Sequence, residues 1–302
     1  MTCACAIWGL GPIWIHTLLY WLSPAAVCLL RLAIGGLVLL PTLAFFARAD
    51  LRFVASRPST WLGGVTIYGN MFCYAAALAH LSPSEVNLLF QVNVVTSAVL
   101  GRWMYRETIP SRRWWALLTV LVGAACVILG RATHGATVEA ATAGRALGVI
   151  LGLGAGVFAS GNQAFIRDTA RRGLGLPAQV VMYVVACCLF APSGGLPLAW
   201  SHAPDPHFWQ VMIVLGVIGS GTASLLVAYA LPRISLAQAG VTGTMQPVVT
   251  LAVATLLFGE HLTPPAAVGA ALVIGGVLAS ALLEGEVRTL PATTEGLPAG
   301  GE

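Results

Sequence analysis

Long apolar blocks dominate this chain, each separated from the next by a short polar turn carrying proline, glycine or arginine. A bilayer core about 30 Å thick takes about 20 apolar residues per helix. Runs of that kind occupy residues 3–20, 24–46, 60–80, 83–104, 113–131, 146–166, 176–198, 207–230, 235–258 and 265–284. The pattern predicts an all-α polytopic membrane protein of ten transmembrane helices. The first run begins almost at Met1, without a basic leading region or a small-residue cleavage site behind it. It reads as a retained helix rather than a signal peptide.

Composition agrees. The 302 residues are 58% hydrophobic and 9% charged, with mean hydropathy +0.86, whereas a soluble domain carries about 25% charged residues. The net charge of +4 comes from arginine alone, since the chain has no lysine. One set of turns holds Arg48, Arg52 and Arg57, then Arg102, Arg106, Arg112 and Arg113, then Arg167, Arg171 and Arg172, then Arg233; the other set holds only Arg131 and Arg145. By the positive-inside rule the first set is cytoplasmic, which puts both termini inside. Basic residues so placed anchor a membrane protein and do not indicate nucleic-acid binding. The seven cysteines, mostly inside apolar runs, form neither a disulfide framework nor a metal-ligand spacing.

One stretch is written twice. QVNVVTSAVLGRWMYRETIPS, Gln91 to Ser111, has the shape of TMQPVVTLAVATLLFGEHLTP, Thr244 to Pro264. Asn93 meets Gln246 and Glu107 meets Glu260, 153 positions on. The same offset runs without a gap from Ala75 to Leu129, pairing Ser82 with Ser235 and Gly123 with Gly276. Each half then holds five helices, and a second copy of an odd unit enters the membrane upside down. The expected organisation is a first five-helix repeat over 1–131, an inverted second repeat over 146–284, and a polar, Pro/Gly-rich, disordered cytoplasmic tail over 285–302. Inverted repeats are the architecture of alternating access, with a substrate site near the midplane between the halves.

These residues also resemble a family. WGLGPIW (Trp8 to Trp14), SPAAVCLLRLAIGGLVLL (Ser23 to Leu40), the two glutamates closing their helices, and QPVVTLAVATLLFGEHLTPPAAVGAALVIGGVL (Gln246 to Leu278) are similar to the EamA family of the drug/metabolite transporter superfamily. The resemblance covers nearly the whole chain. It implies a ten-helix inner-membrane transporter that exports or exchanges small metabolites. Val94 departs from the symmetry, standing where the second half has Pro247.

Helix-breaking residues and polar stripes give the candidate site. Pro12 frees the carbonyl of Trp8 and Pro247 that of Gly243, both near the estimated midplane, as packing kinks or as part of a binding site. Gln238, Thr242 and Gln246 recur every four residues on the ninth helix and form one stripe. That stripe faces a cavity or glues helices together. Its counterpart on the fourth helix is Glu85, Leu89 and Asn93, with Asn87 and Gln91 on the opposite face; symmetry prefers Glu85 and Asn93. Asn70 and Tyr74 on the third helix and Asn162 with Gln163 on the sixth complete the polar set. Trp8 and Tyr229 offer rings to a flat or apolar ligand.

Arg31 lies two turns into the second helix, within snorkelling reach of the outer surface, where it braces a gate or neighbouring carbonyls or meets a substrate carboxylate. The gating or structural set is therefore Pro12, Arg31, Glu107, Pro247 and Glu260. No midplane carboxylate and no central basic cluster is expected, which favours neutral, zwitterionic or amphiphilic cargo. His16, His80, His202, His207, Glu260 and His261 map to the outer surface as headgroup-level polar residues.

The leading expectation is a secondary transporter, an exporter or exchanger working by alternating access in a bacterial inner membrane. No cofactor and no metal is expected. The partners are a small-molecule substrate and the lipid bilayer, with a homodimer left open and no nucleic acid. The alternative from another class is a membrane-embedded lipid-modifying enzyme, which needs clustered acids, His or Arg at one headgroup plane; HExxH, GxSxG and paired carboxylates are absent from the sequence.

Overall fold

The computed structural model describes residues 1–46, 51–106, 111–130, 140–196, 198, 200–234, 239, 242–243, 245–258 and 264–282. They are almost entirely helical, and among them no strand forms beyond an isolated bridge between Leu22 and Trp200. The first half contains α1 (Thr2–Leu18), α2 (Pro24–Phe46), a short α3 (Leu51–Ala55), α4 (Pro58–Leu78), α5 (Pro83–Leu89), α6 (Val92–Tyr105) and α7 (Ser111–Gly130). The second contains α8 (Ala140–Arg171), α9 (Gly175–Phe190) running into a π-turn at Ala191–Gly195, α10 (Pro206–Val214) and α11 (Ala223–Ala230) joined by a π-helical segment at Leu215–Thr222, then α12 (Met245–Phe258) and α13 (Pro264–Leu282).

Most apolar runs became helices within a few residues of their expected bounds. Three departures matter. α8 extends beyond 146–166 at both ends. The fourth run is two helices meeting at Phe90 and Gln91, and the described part of the ninth has its own turn at Gly243. At both places the backbone tightens in the same way: the amide of Asn93 donates to the carbonyl of Phe90 (3.0 Å), and the amide of Gln246 donates to that of Gly243 (3.0 Å). Phe90 and Gly243 are 153 positions apart, as are Asn93 and Gln246. The repeat offset therefore survives as a shared backbone irregularity. Mid-helix tightening of this kind often marks a hinge.

Packing repeats the same symmetry. α1 lies against α12, and α8 lies against α5 and α6, so the first helix of each half packs on the fourth of the other. α4 packs on α8 and α9, while the α10–α11 rod packs on α1 and α2. The fifth helices, α7 and α13, pack on each other. Close approach depends on glycine. A Cβ on Gly156 of α8 would sit 2.6 Å from the Phe90 carbonyl oxygen, and one on Gly9 of α1 would sit 2.7 Å from the Val249 Cβ and 3.0 Å from the Gln246 carbonyl oxygen. Each first helix thus presents a glycine to the tightened turn of the opposite half.

The outside is apolar. Leu37, Leu62, Ile150, Val157, Val184, Ile213, Leu256 and Val268 are exposed, a surface a water-soluble monomer does not present. Four described helices are long and apolar enough to cross a membrane: Pro24–Pro41, Gly144–Arg171, Gly175–Gly195 and Pro206–Arg233. Trp61, Trp103 and Trp115 are exposed near the arginine-bearing helix ends. At the ends without arginine Tyr20 stacks on His202 (3.9 Å between ring centroids) and Trp200 lies beside Phe208 and Trp209. Two aromatic bands flanking an apolar girdle are what membrane interfaces select.

The α7–α13 contact is tight enough to test. A Cβ on Gly123 would lie 2.7 Å from both the Gly269 carbonyl oxygen and the Val273 amide, whereas at Gly275 it meets open space. Gly123→Ala is expected to cost about 1–3 kcal/mol through overpacking, read as a lower unfolding midpoint in detergent, with Gly275→Ala unchanged.

Candidate functional site

A single central cavity draws on both halves. Its walls are α1 (Trp8, Gly11, Pro12, Ile15), α2 (Arg31), α4 (Ile67, Asn70, Met71, Tyr74), the α5–α6 turn (Phe90), α8 (Ala159, Asn162, Gln163, Ile166), α9 (Gln179, Tyr183), the π-segment and α11 (Leu215, Gly219, Ser220, Ser224, Val227) and α12 (Gln246). Its empty space is about 940 Å³ with the open mouth included.

The π-segment organises one wall. A π-turn takes carbonyls out of the regular ladder, and inside a membrane those groups need partners in the protein. The Trp8 indole N–H donates to the Gly219 carbonyl (2.9 Å) and the Tyr183 hydroxyl to the Ser220 carbonyl (3.1 Å). Tyr183 also hydrogen-bonds the Ser224 hydroxyl. The Arg31 guanidinium donates through Nε to the Ser220 hydroxyl oxygen (2.9 Å). Gly35 lets α2 come this near, since a Cβ there would meet the Ser220 Cβ at 2.8 Å.

Several expected site residues line this cavity: Trp8, Asn70, Tyr74, Asn162, Gln246 and Pro12. Gln163, noted beside Asn162, does so too. Other expectations need correction. Arg31 is not within snorkelling reach of the surface; it is 7% exposed and lines the cavity, because Ser220 and the small residues of α2 admit it to the interior. Glu85 is absent from the lining. It closes a capping box with Ser82 at the start of α5, each backbone amide donating to the other's side chain, and pairs with Arg145 at 3.1 Å.

Asn93 also stops short of the cavity. Its side-chain oxygen accepts from the Ser97 and Ser160 hydroxyls, so it fastens α6 to α8. Thr242 turns its hydroxyl back to the Ala239 carbonyl (3.0 Å) and does not line the cavity. Pro247 is not midway along a continuous helix but in the first turn of α12, where a missing amide costs nothing. Pro12 sits inside an unbroken α1. Tyr229 is exposed and holds Arg233 over its ring (3.8 Å). Gln238, Glu107 and Glu260 lie outside the described residues.

Asn87, expected with Gln91 on the other face of the fourth helix, binds the halves together. The Asn87 amide donates to the Thr250 hydroxyl, which donates onward to the Gly9 carbonyl; Gln91 donates to the Asn87 carbonyl (3.2 Å). Among the described residues no cluster of three or more His, Cys, Asp and Glu could hold a metal.

Gln179, Tyr183, Ser220 and Ser224 were missed as site residues. The signal was present: Gln179 with Tyr183, and Ser220 with Ser224, are spaced by four and share a helix face, the rule that singled out Gln246.

Helices with an apolar outside, enclosing a cavity that both halves line, define an integral membrane protein. The EamA-like transporter family model matches residues 1–129 and 146–282. The chain belongs to that family. It is 24% identical over 203 residues to the pseudopaline exporter CntI of Pseudomonas aeruginosa, a match covering 65% of each chain. It is 23% identical over 260 residues to the uncharacterized transporter YwfM of Bacillus subtilis, covering 85% of this chain and 83% of that one. A solved structure, described only as the crystal structure of a protein, shares the fold with TM-score 0.68 at 20% identity, over 93% of this chain and 94% of that one. The family and these relatives point to a transporter rather than an enzyme.

The cavity can be checked with thiols. After replacement of the seven native cysteines, Asn70→Cys and Gln246→Cys are expected to react with a small hydrophilic methanethiosulfonate, while Asn93→Cys stays unreactive. Equal labelling of all three would remove the distinction between lining and fastening residues.

Proposed function

We propose that this protein is a secondary transporter that exports or exchanges small neutral, zwitterionic or amphiphilic metabolites by alternating access. The reading places it in a bacterial inner membrane with both termini in the cytoplasm. One observation carries it: the cavity sits between the two halves, and the fourth helix of each half tightens at the same repeat position beside it. In an inverted repeat those two turns lie at opposite depths of one site. Rocking the halves would then exchange which side is open.

The chemistry of the walls supports this cargo class. Five amides, Asn70, Asn162, Gln163, Gln179 and Gln246, stand among apolar and aromatic side chains, with Arg31 the single charged residue among the described residues of the lining. A polyanion would need more positive charge than one guanidinium supplies. The arginine-rich turns fit the cytoplasmic assignment. The pseudopaline exporter's name suits the export direction, though the match spans only 65% of that relative.

In proteoliposomes, members of a panel of neutral, zwitterionic and amphiphilic metabolites are expected to show saturable counterflow. Gln246→Ala should weaken it about tenfold or more in kcat/KM, as for loss of a lining contact worth about 1.4 kcal/mol. The double variant His202→Ala/His207→Ala, altered only at the outer surface, should keep it. Flux that rises linearly with concentration would indicate a channel and defeat the carrier reading.

A further inference from the structure

We propose that Arg31 is a carboxylate-binding subsite, so that the cargo carries one carboxylate beside a flat or apolar body. This deepens the transport reading and rests on it for the word cargo; the binding site itself does not.

Three observations converge. Arg31 is 7% exposed and lines the cavity, yet among the described residues of that lining there is no aspartate or glutamate. A cation held inside a membrane protein ordinarily has an anionic or carbonyl partner, and leaving it unpaired is costly. The Nε of Arg31 is fixed by Ser220 at 2.9 Å. That bond orients the guanidinium while its two terminal nitrogens make no side-chain ion pair among the described residues. A guanidinium offers parallel N–H donors that match a carboxylate.

The second observation is unsatisfied polarity around it. Gln179 is 3% exposed and its Oε1 is buried with no hydrogen-bond partner, as is the Nδ2 of Asn162. Both residues line the cavity. Buried polar atoms without partners are rare in folded proteins, and here one acceptor and one donor stand ready for a ligand. The acceptor suits an N–H donor on the cargo, so a zwitterion fits as well as a simple acid.

The third is the shape of what remains. Trp8 is held by its indole N–H to Gly219, and Tyr74 is braced edge-on by Phe90 at 5.4 Å between ring centroids. Together with Ile67, Met71 and Ile166 they make the apolar part of the wall. Rings fixed in this way accept a flat or apolar group at little entropic cost.

The test uses the full chain purified in detergent, with benzoate and its neutral isostere benzamide as probes and equilibrium binding by titration calorimetry. The wild type should bind benzoate at least about tenfold more tightly than benzamide, as for a charge-assisted bidentate pair. Arg31→Gln should abolish that preference, and Arg31→Lys should keep part of it, having the charge without the fork. Arg172→Gln, at an exposed pair with Asp168, should change neither. Should Arg31→Gln not fold, Arg31→Lys and Ser220→Ala carry the test, since each must lower the ratio of the two affinities. Equal binding of the probes, no benzoate binding, or a preference untouched by these variants overturns the proposal. Benzoate binding through Arg31 with no counterflow by any compound in the panel would sink the transport reading and leave the subsite standing. Saturable counterflow with no benzoate preference would do the reverse.

Discussion

Backbone groups that leave the helical ladder inside a bilayer have no water to turn to, and the centre of this protein is arranged around that constraint. The π-segment at Leu215–Thr222 and the tightened turns at Phe90 and Gly243 are departures that lipid would not tolerate. The π-segment and the turn at Phe90 are answered by side chains from other helices. Trp8 and Tyr183 answer carbonyls of the π-segment, Ser160 answers the Asn93 carbonyl, and Thr250 answers that of Gly9. The irregular backbone and the polar residues that serve it thus collect in the middle, and the cavity is the space they enclose.

The halves are joined by two kinds of contact with different consequences. Glycine sets one kind, where α1 meets α12, α8 meets the α5–α6 turn, and α7 meets α13. These contacts are short and shape-determined, and change little under small rotation but fail if a side chain is added. Hydroxyl and amide bonds set the other kind, such as Thr96 with Ser160 and Asn87 with Thr250. Interhelical bonds of this sort are individually modest in membranes, about 0.6 kcal/mol on average, so several can exchange partners at small cost. A pair of halves joined in this way is suited to rocking about packed glycines while swapping polar partners.

Much of the fold was legible because the bilayer imposes a length on each apolar run, and most runs lie on described helices within a few residues of their expected bounds. Asn93 and Gln246 both sit at tightened turns 153 positions apart, and Gln246 lines the cavity as its stripe predicts whereas Asn93 does not. Helix periodicity assumes 3.6 residues per turn, and the tightened turns break that phase. Asn93 was rotated onto Ser97 and Ser160. Glu85 carried a readable alternative, because Ser82 three residues before it spells a capping box. Arg31 was misplaced because distance from a helix end says nothing about which neighbours surround it. Only the packing of α2 on the π-segment decides that, and no residue pattern along the chain marks a π-turn.

The position of Arg31 changes what the cavity selects. Five amides alone would take a neutral polar molecule with little preference for its charge, since each amide offers both a donor and an acceptor. One guanidinium adds a sign and a direction. It shares the cavity with rings and branched apolar side chains, so a ligand satisfying both carries a charged group and an apolar body. The desolvation cost of burying Arg31 falls on the empty site and is relieved when an anion enters. A second cation would hold the ligand too firmly for release, and a fixed carboxylate beside Arg31 would compete with it. Singly charged walls are therefore a compromise between recognition and departure, the same requirement that any carrier places on its site.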